Sequence, residues 1–412
     1  MRSLLKYVRG LDPRLPRSVW TMEVGGFANA FGNGLAFPFL FIYLHNVRGI
    51  PLPTVGLIAG TSAAVGIASI PMSGIIVDRI GGKPTLVGAL VLLAFGFGAY
   101  ALVHEPWQAF GAAAIVGVGN GAFWPSQSAL IIGLTPPARR HASFALQRVM
   151  RNFGLGLGGV AGGLIATTSN PTSYTVLFGL DAVTFLVFVL VLWFVPDPGL
   201  SRAEAEEPGR YREVLRNRLF LGVVGLNIAY VAAGYAQLEV FPVFAKNQAG
   251  VTERQIGFIF FVNTLAIVLA QLPFTKILEG RRRMPALALM TFVWAGAWMV
   301  VFAGGVWFHA GAAALVFGLA AIAFGLGECL HGPTQGALVA DLAPPRLRGR
   351  YMALSTLSWE IGFAIGPTAA GFILHAQPNA LWPIASFVCV LAGCGALLLE
   401  RRIPPELRVT PS

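Results

Sequence analysis

GVGNGAFWPSQSALIIGLTPPARR (117–140) and GLGECLHGPTQGALVADLAPPRLR (325–348) are one segment written twice, 208 positions apart. Gly117 and Gly119 recur as Gly325 and Gly327, Pro125 and Gln127 as Pro333 and Gln335, and Arg140 as Arg348. The register holds into the next apolar run, where Gly154, Gly158 and Gly163 return as Gly362, Gly366 and Gly371. Over the 49 positions 117–165 the pairing gives 17 identities without a gap. Gly- and Ala-rich composition inflates such a score, but an ungapped run through two helices and their loop points to duplication. Phe37-Pro38 and Phe241-Pro242 add a weaker correspondence at a different offset.

The duplicated unit is a membrane one. Hydrophobic residues make up 56% of the 412 and charged residues 11%, with a mean hydropathy of +0.70. A water-soluble domain carries roughly 25% charged residues, so this chain lacks the polar material to cover a water-facing surface. A spanning helix needs about 20 apolar residues. Such runs fall near 18–44, 55–77, 84–104, 107–134, 142–167 and 174–195, then 219–245, 254–277, 284–305, 310–339, 351–375 and 380–399. They are continuous, not ten-residue alternations, so helices are expected and barrel strands are not. The expected fold is all-α: twelve transmembrane helices in two six-helix bundles, 1–195 and 219–412, joined by a cytoplasmic loop, 196–218. Repeats of this kind are how carriers build two bundles that rock about a midplane site.

The net charge of +11 follows the membrane. Twenty-four of the 29 Lys and Arg fall on one side, among them Arg2, Lys6, Arg9, Arg14, Arg17, Arg79, Lys83, Arg139, Arg202, Arg210, Arg281, Arg346 and Arg401. Arg48, Lys246 and Arg254 hold the other side. By the positive-inside rule both termini are cytoplasmic, in a bacterial inner membrane. The basic balance reports topology, and no nucleic-acid partner is expected. The first apolar run is too long for a signal-peptide core, so it is expected to stay as span one. Cys329, Cys389 and Cys394 all lie in spans and are expected as buried free thiols. The six histidines show no ligand spacing, so no metal and no cofactor is expected.

Between spans two and three the chain reads GIIVDRIGGKP (74–84). This resembles the G-x-x-x-D-R-x-G-x-K loop of the major facilitator superfamily, with Gly74, Asp78, Arg79, Gly81 and Lys83 in the characteristic places. Asp78 at a helix C-terminus is poorly placed for the local dipole, so the loop is expected to act as a conformational latch that finds its partner in one state only. The matching loop of the second half keeps basic residues but no Asp. Span five carries Gly154, Gly158 and Gly163, similar to the G-x-x-x-G-P-x-x-G-G motif of the superfamily's drug–proton antiporters, with Gly159 in place of Pro. Span eleven carries Gly362, Gly366, Pro367 and Gly371. Small residues four apart equally make generic helix-packing faces. Ala113 stands where many of these antiporters have an Arg. Along most of the chain the sequence is similar to bacterial MdtH-type multidrug efflux transporters.

An ionisable side chain inside the bilayer costs several kcal/mol or more unless paired. Glu328, near mid-depth of span ten, is the first candidate for proton coupling, followed by Glu360 and Glu23. Arg148 and Arg151 in span five need acceptors, and Glu360 or Glu23 are the expected ones. Asp181 is expected to bond locally. Asn29, Asn33, Trp124, Asn227, Tyr230, Tyr235, Gln237 and Glu239, with Arg148 and Arg151, are the substrate-cavity candidates; Glu239 also suits a gate. A mainly apolar set with a few polar groups fits amphipathic ligands.

The leading expectation is a proton-coupled efflux carrier for lipophilic small molecules, acting as a monomer in the lipid bilayer on a substrate and protons. The alternatives are a carrier of a specific anionic metabolite held by Arg148 and Arg151, or a non-transporting receptor. No reactive His/Asp, Ser/His or metal constellation suggests an enzyme, and no P-loop pattern suggests ATP-driven transport.

Overall fold

Each apolar run folds as a helix because only a helix satisfies its own backbone polar groups in hydrocarbon. The computed structural model describes residues 15–199, 211–344 and 347–410. Arg2, Lys6, Arg9, Arg14, Arg202, Arg210 and Arg346, counted above for topology, lie outside the described residues. In chain order the long helices are α1 (Arg17–Val47), α2 (Leu52–Ile80), α3 (Gly82–Ala101), α4 (Pro106–Leu134), α5 (Arg140–Ile165) and α6 (Thr172–Leu192). A short helix, Tyr211–Arg216, precedes α7 (Arg218–Ala249), α8 (Glu253–Leu278), α9 (Arg283–Trp307), α10 (Ala310–Leu342), α11 (Arg348–Ala376) and α12 (Leu381–Glu400). Ten of these are long and apolar enough to cross a membrane. α4 and α5 have spanning length, 29 and 26 residues, but α5 carries Arg140, Arg148 and Arg151. Apart from one isolated bridge, Arg282 to Val409, the described residues form no β-pairing.

The repeat is visible in the irregularities. α1 and α7, the first helix of each half, both break along their length. α1 passes through a 3-10 turn at Phe37–Phe39 and a π turn at Tyr43–Val47; α7 has a π turn at Val231–Tyr235 and Pro242 beyond it. The glycines of the packing motifs occupy equivalent places. A Cβ on Gly154 or Gly158 would meet the α1 backbone at Phe27 or Phe31, and one on Gly163 would meet α8 at Glu253. In α11 a Cβ on Gly362 or Gly366 would meet α7 at Val231 or Ala236, and one on Gly371 would meet α2 at Leu52. Two glycines per helix thus seat the half's own first helix, and the third seats the other half.

The halves touch through α2 with α11 and α5 with α8. These contacts are tight at the end where α2 and α8 begin. There Thr368 Oγ1 donates to the Gly56 carbonyl at 3.1 Å, and Asn46 Nδ2 donates to Asn247 Oδ1 at 2.7 Å. Glu253 binds this end most fully. Its Oε1 accepts from Lys246 Nζ at 2.9 Å in its own half, and from the Thr168 N–H at 2.9 Å and the Tyr174 hydroxyl at 3.2 Å in the other.

The opposite end is open. Met72, Ile75 and Ile80 on α2, and Leu272 and Ile277 on α8, are exposed. Asp78 and Arg79 are exposed too, and Asp78 has no ion pair among the described residues. Nothing lies within 4 Å of where a Cβ on Gly74 would be, so no neighbouring helix approaches α2 closely there. Gly81, at φ +95°, makes the tight turn into α3, and Lys83 Nζ donates to the Val195 carbonyl at 2.6 Å. In the second half the loop arginines are spent locally, Arg282 on Glu400 at 2.7 Å and Arg283 on Asp341 at 2.6 Å. One cysteine corrects the expectation: Cys329 and Cys389 are buried, but Cys394 is exposed on the outside of α12.

Candidate functional site

Where the halves face each other at mid-depth, α5 and α10 bring the basic and acidic candidates together. Glu328 is in the middle of α10, and the charges of both Arg148 and Arg151 act on it across the interface. No ion pair joins them. The Arg148 guanidinium instead lies against the α10 backbone at Gly332, where any Cβ would collide with it. Arg151 rests over the Trp124 ring, 4.8 Å from its centroid, a cation–π arrangement that offsets part of the cost of burying a guanidinium. The arginines are therefore not paired with Glu360 or Glu23 as the sequence suggested.

Glu23 is 1% exposed inside the first half, with no hydrogen bond to its Oε1 among the described residues. Glu360 reaches across the interface to α2 at Gly66. A buried carboxylate without a cation must take a proton or a cationic guest to be comfortable.

Beside Glu328 stands a cluster that sequence spacing did not reveal. His331, 3% exposed, meets Asn227 Oδ1 at 3.1 Å; Asn227 Nδ2 donates to Ser358 Oγ at 2.7 Å, which donates to the Ser355 carbonyl at 2.6 Å. Rings enclose the imidazole: Tyr230 at 6.1 Å, Tyr235 at 5.6 Å and Trp359 at 5.3 Å between centroids. Asn227 and Tyr230 are wholly enclosed in this cluster, and Tyr235 packs edge-on against Trp294 at 4.9 Å. The one available signal was the i, i+3 spacing of Glu328 and His331, which puts both on one helix face.

The remaining candidates sit apart. Asn33 donates to the Asn29 carbonyl at 3.2 Å within α1, and Gln237 Nε2 donates to the Ala232 carbonyl at 2.8 Å across the π turn. Asp181 is fully buried and takes a 3.5 Å contact from the Thr184 hydroxyl at Oδ1. Among the described residues no three His, Cys, Asp or Glu side chains group as metal ligands do.

Two halves that grip at one end, part at the other, and enclose unpaired charges at mid-depth have the build of a membrane carrier. The sequence model of the Major Facilitator Superfamily matches residues 22–320 and 230–412, and the chain belongs to that family of transporters. It is 26% identical over 390 residues to "Multidrug resistance protein MdtH" of Cronobacter sakazakii, covering 90% of this chain and 92% of that one. The protein of the same name from Salmonella typhimurium is 25% identical over 387 residues, with the same coverage. Among solved structures it is similar in fold to a POT family transporter in complex with 5-aminolevulinic acid, with a TM-score of 0.78 at 14% identity over 94% of this chain and 96% of that one. The nucleoside transporter NupG gives 0.76 at 12% identity, over 93% and 99%. At such identities these structures speak for the fold alone.

Proposed function

We propose that the protein exports lipophilic or amphipathic small molecules from the bacterial cytoplasm in exchange for protons, by alternating access, with Glu328 as the principal proton carrier. The observation that carries this reading is the position of Glu328. It stands at mid-depth between the halves, under the influence of two guanidiniums but bonded to neither. A carboxylate so placed can exchange a proton whenever the interface opens to water, and its charge state alters how strongly the halves attract. With the basic loops and both termini in the cytoplasm, the tight end is periplasmic and the conformation is inward-facing. The division into bundles 1–195 and 219–412 then supplies the two rocking bodies, and the monomer suffices as the working unit. The exposed Asp78 loop is the latch of the opposite, outward-facing state.

The test is proton movement in everted vesicles held acidic inside by respiration, challenged in turn with cationic dyes, neutral antibiotics and organic anions. A compound that dissipates the gradient with the wild-type protein, but not with Glu328→Gln, supports antiport through Glu328. Labelled substrate crossing with no proton movement in any case overturns the coupling. The two unpaired arginines favour a second reading, a carrier for an organic anion. Arg148→Glu with Arg151→Glu separates them: anion movement that is lost while dye export is retained supports that reading, and anion movement that survives the exchange opposes it.

A further inference from the structure

α7 passes between α11 and α12 and reaches the outer surface of the second half. A Cβ on Gly362 of α11 would meet Val231 of α7, and one on Gly395 of α12 would meet Leu226 of α7 at 3.0 Å. One on Gly222 of α7 would meet Leu399 of α12 at 3.0 Å. α7 and α12 therefore run antiparallel in contact, and the same register continued by one turn sets Arg218 level with Ile403. Beside these contacts the outer stripe of α7, formed by Arg218, Leu221 and Gly225, is exposed. Nothing lies within 4 Å of where a Cβ on Gly225 would be. Next to that stripe α12 exposes Leu398, and then Arg401 and Arg402 in the turn that follows the helix. The two helices thus form an apolar groove on the outer face, with guanidiniums at the open end of the molecule.

Those guanidiniums are not spent inside the protein. Glu400, the acid in the last turn of α12, is taken by Arg282 at 2.7 Å. Arg408 caps the turn, donating to the Ile403 carbonyl at 2.8 Å and the Arg401 carbonyl at 3.3 Å. Arg218, Arg401 and Arg402 are exposed and form no ion pair among the described residues. The duplication does not call for them either. α6, the last helix of the first half, is followed by exposed Trp193 and Phe194 and then by Asp197, with no basic residue before Arg202.

We propose that this groove holds one anionic phospholipid of the surrounding bilayer, its phosphate between Arg218 and Arg402 and one acyl chain along Leu221, Gly225 and Leu398. A guanidinium offers paired donors that match phosphate oxygens. Each basic residue near an anionic membrane surface adds about 1 kcal/mol, or about fivefold, to binding. Gly225 leaves the space that the chain fills, and the exposed leucines on either side of it supply apolar contact. The site is independent of what the carrier moves and lies outside the mid-depth interface of the halves.

Native mass spectrometry of the full chain in detergent tests this with phosphatidylglycerol, with phosphatidylcholine of the same chains, and with inorganic phosphate. The wild-type protein should retain one phosphatidylglycerol in preference to phosphatidylcholine. Arg218→Gln with Arg402→Gln should weaken phosphatidylglycerol about thirtyfold, the loss of two charges. Arg140→Gln with Lys276→Gln removes as much charge at the same end but away from the groove, and should change the affinity by less than about twofold because salt screens distant charges. Inorganic phosphate at equal concentration should not displace the lipid, since it has no chain to bury. No preference for phosphatidylglycerol in the wild type, or equal loss in the two double variants, overturns the site and leaves only the diffuse attraction of a basic surface. Displacement by equal phosphate overturns it in favour of a bare anion site. Should the Arg218 and Arg402 variant fail to fold, Gly225→Leu decides. It fills the groove from open space without disturbing internal packing, and unchanged phosphatidylglycerol binding in it overturns the proposal.

Discussion

Glu253 shows how much a single side chain does at the closed end. One carboxylate oxygen collects Lys246 from its own half and Thr168 N–H and Tyr174 O–H from the other. A charged acceptor with three donors binds more strongly than neutral pairs do. Opening this end must break the two donors that come from the first half. Glu253→Gln keeps the size and removes the charge, so it should destabilise this conformation by about 1–2 kcal/mol relative to the opened one. Hydrogen exchange reads this directly: the Thr168 amide should exchange faster in the variant, while amides in the middle of α9 keep their rates. Unchanged protection at Thr168 would mean that helix packing alone closes this end.

At the scale of the element, the glycines of α5 and α11 set how closely the helices approach. A Cβ at Gly158 would strike the Phe31 carbonyl oxygen, and backbone cannot swing aside as a side chain can. Gly179 on α6 has nothing within 4 Å of the same position. Gly158→Ala should therefore destabilise by about 1–3 kcal/mol through overpacking, whereas Gly179→Ala should stabilise by up to about 1 kcal/mol through helix propensity. Thermal unfolding in detergent compares the two, and a shift of equal sign in both would remove the packing argument. These glycines were legible in the sequence because their spacing and their repetition 208 residues later both survive into the fold. Ten of the twelve expected spans were legible for a related reason, since the bilayer imposes length and apolarity on a crossing helix; α4 and α5 have the length but are not among the ten. The partners of the charged residues were not. Arg148 and Arg151 were matched with Glu360 and Glu23 on depth alone, but depth leaves azimuth open, and each residue turns the helix face by about 100°. Arg148 faces Gly332 instead, and Arg151 faces Trp124. His331 looked like one scattered histidine, because Asn227 and Ser358 come to it from two other helices.

Across the whole molecule the two ends behave oppositely, and alternating access needs nothing else from the fold. The grip at one end depends on contacts between halves at Thr368–Gly56, Asn46–Asn247 and Glu253–Thr168. Asp78 at the other end is exposed and makes no ion pair among the described residues. Interactions missing from one state are the ones free to stabilise the other, and a latch shifts the balance only by its differential bonding between them. Fixing the closed end should therefore stop the cycle without disturbing either half. Asn46 and Asn247 are well placed for this, because their side chains already meet at 2.7 Å on the surface, where replacement removes no core packing. With both changed to Cys, in a background where Cys329, Cys389 and Cys394 are replaced by Ser or Ala, a short reducible thiol crosslinker should abolish substrate movement in vesicles. Reductant should restore it, and each single-Cys variant should be unaffected by the reagent. Transport that continues in fully crosslinked protein would show that this end need not open, and the rocking of the halves would then have to be abandoned as the route across the membrane.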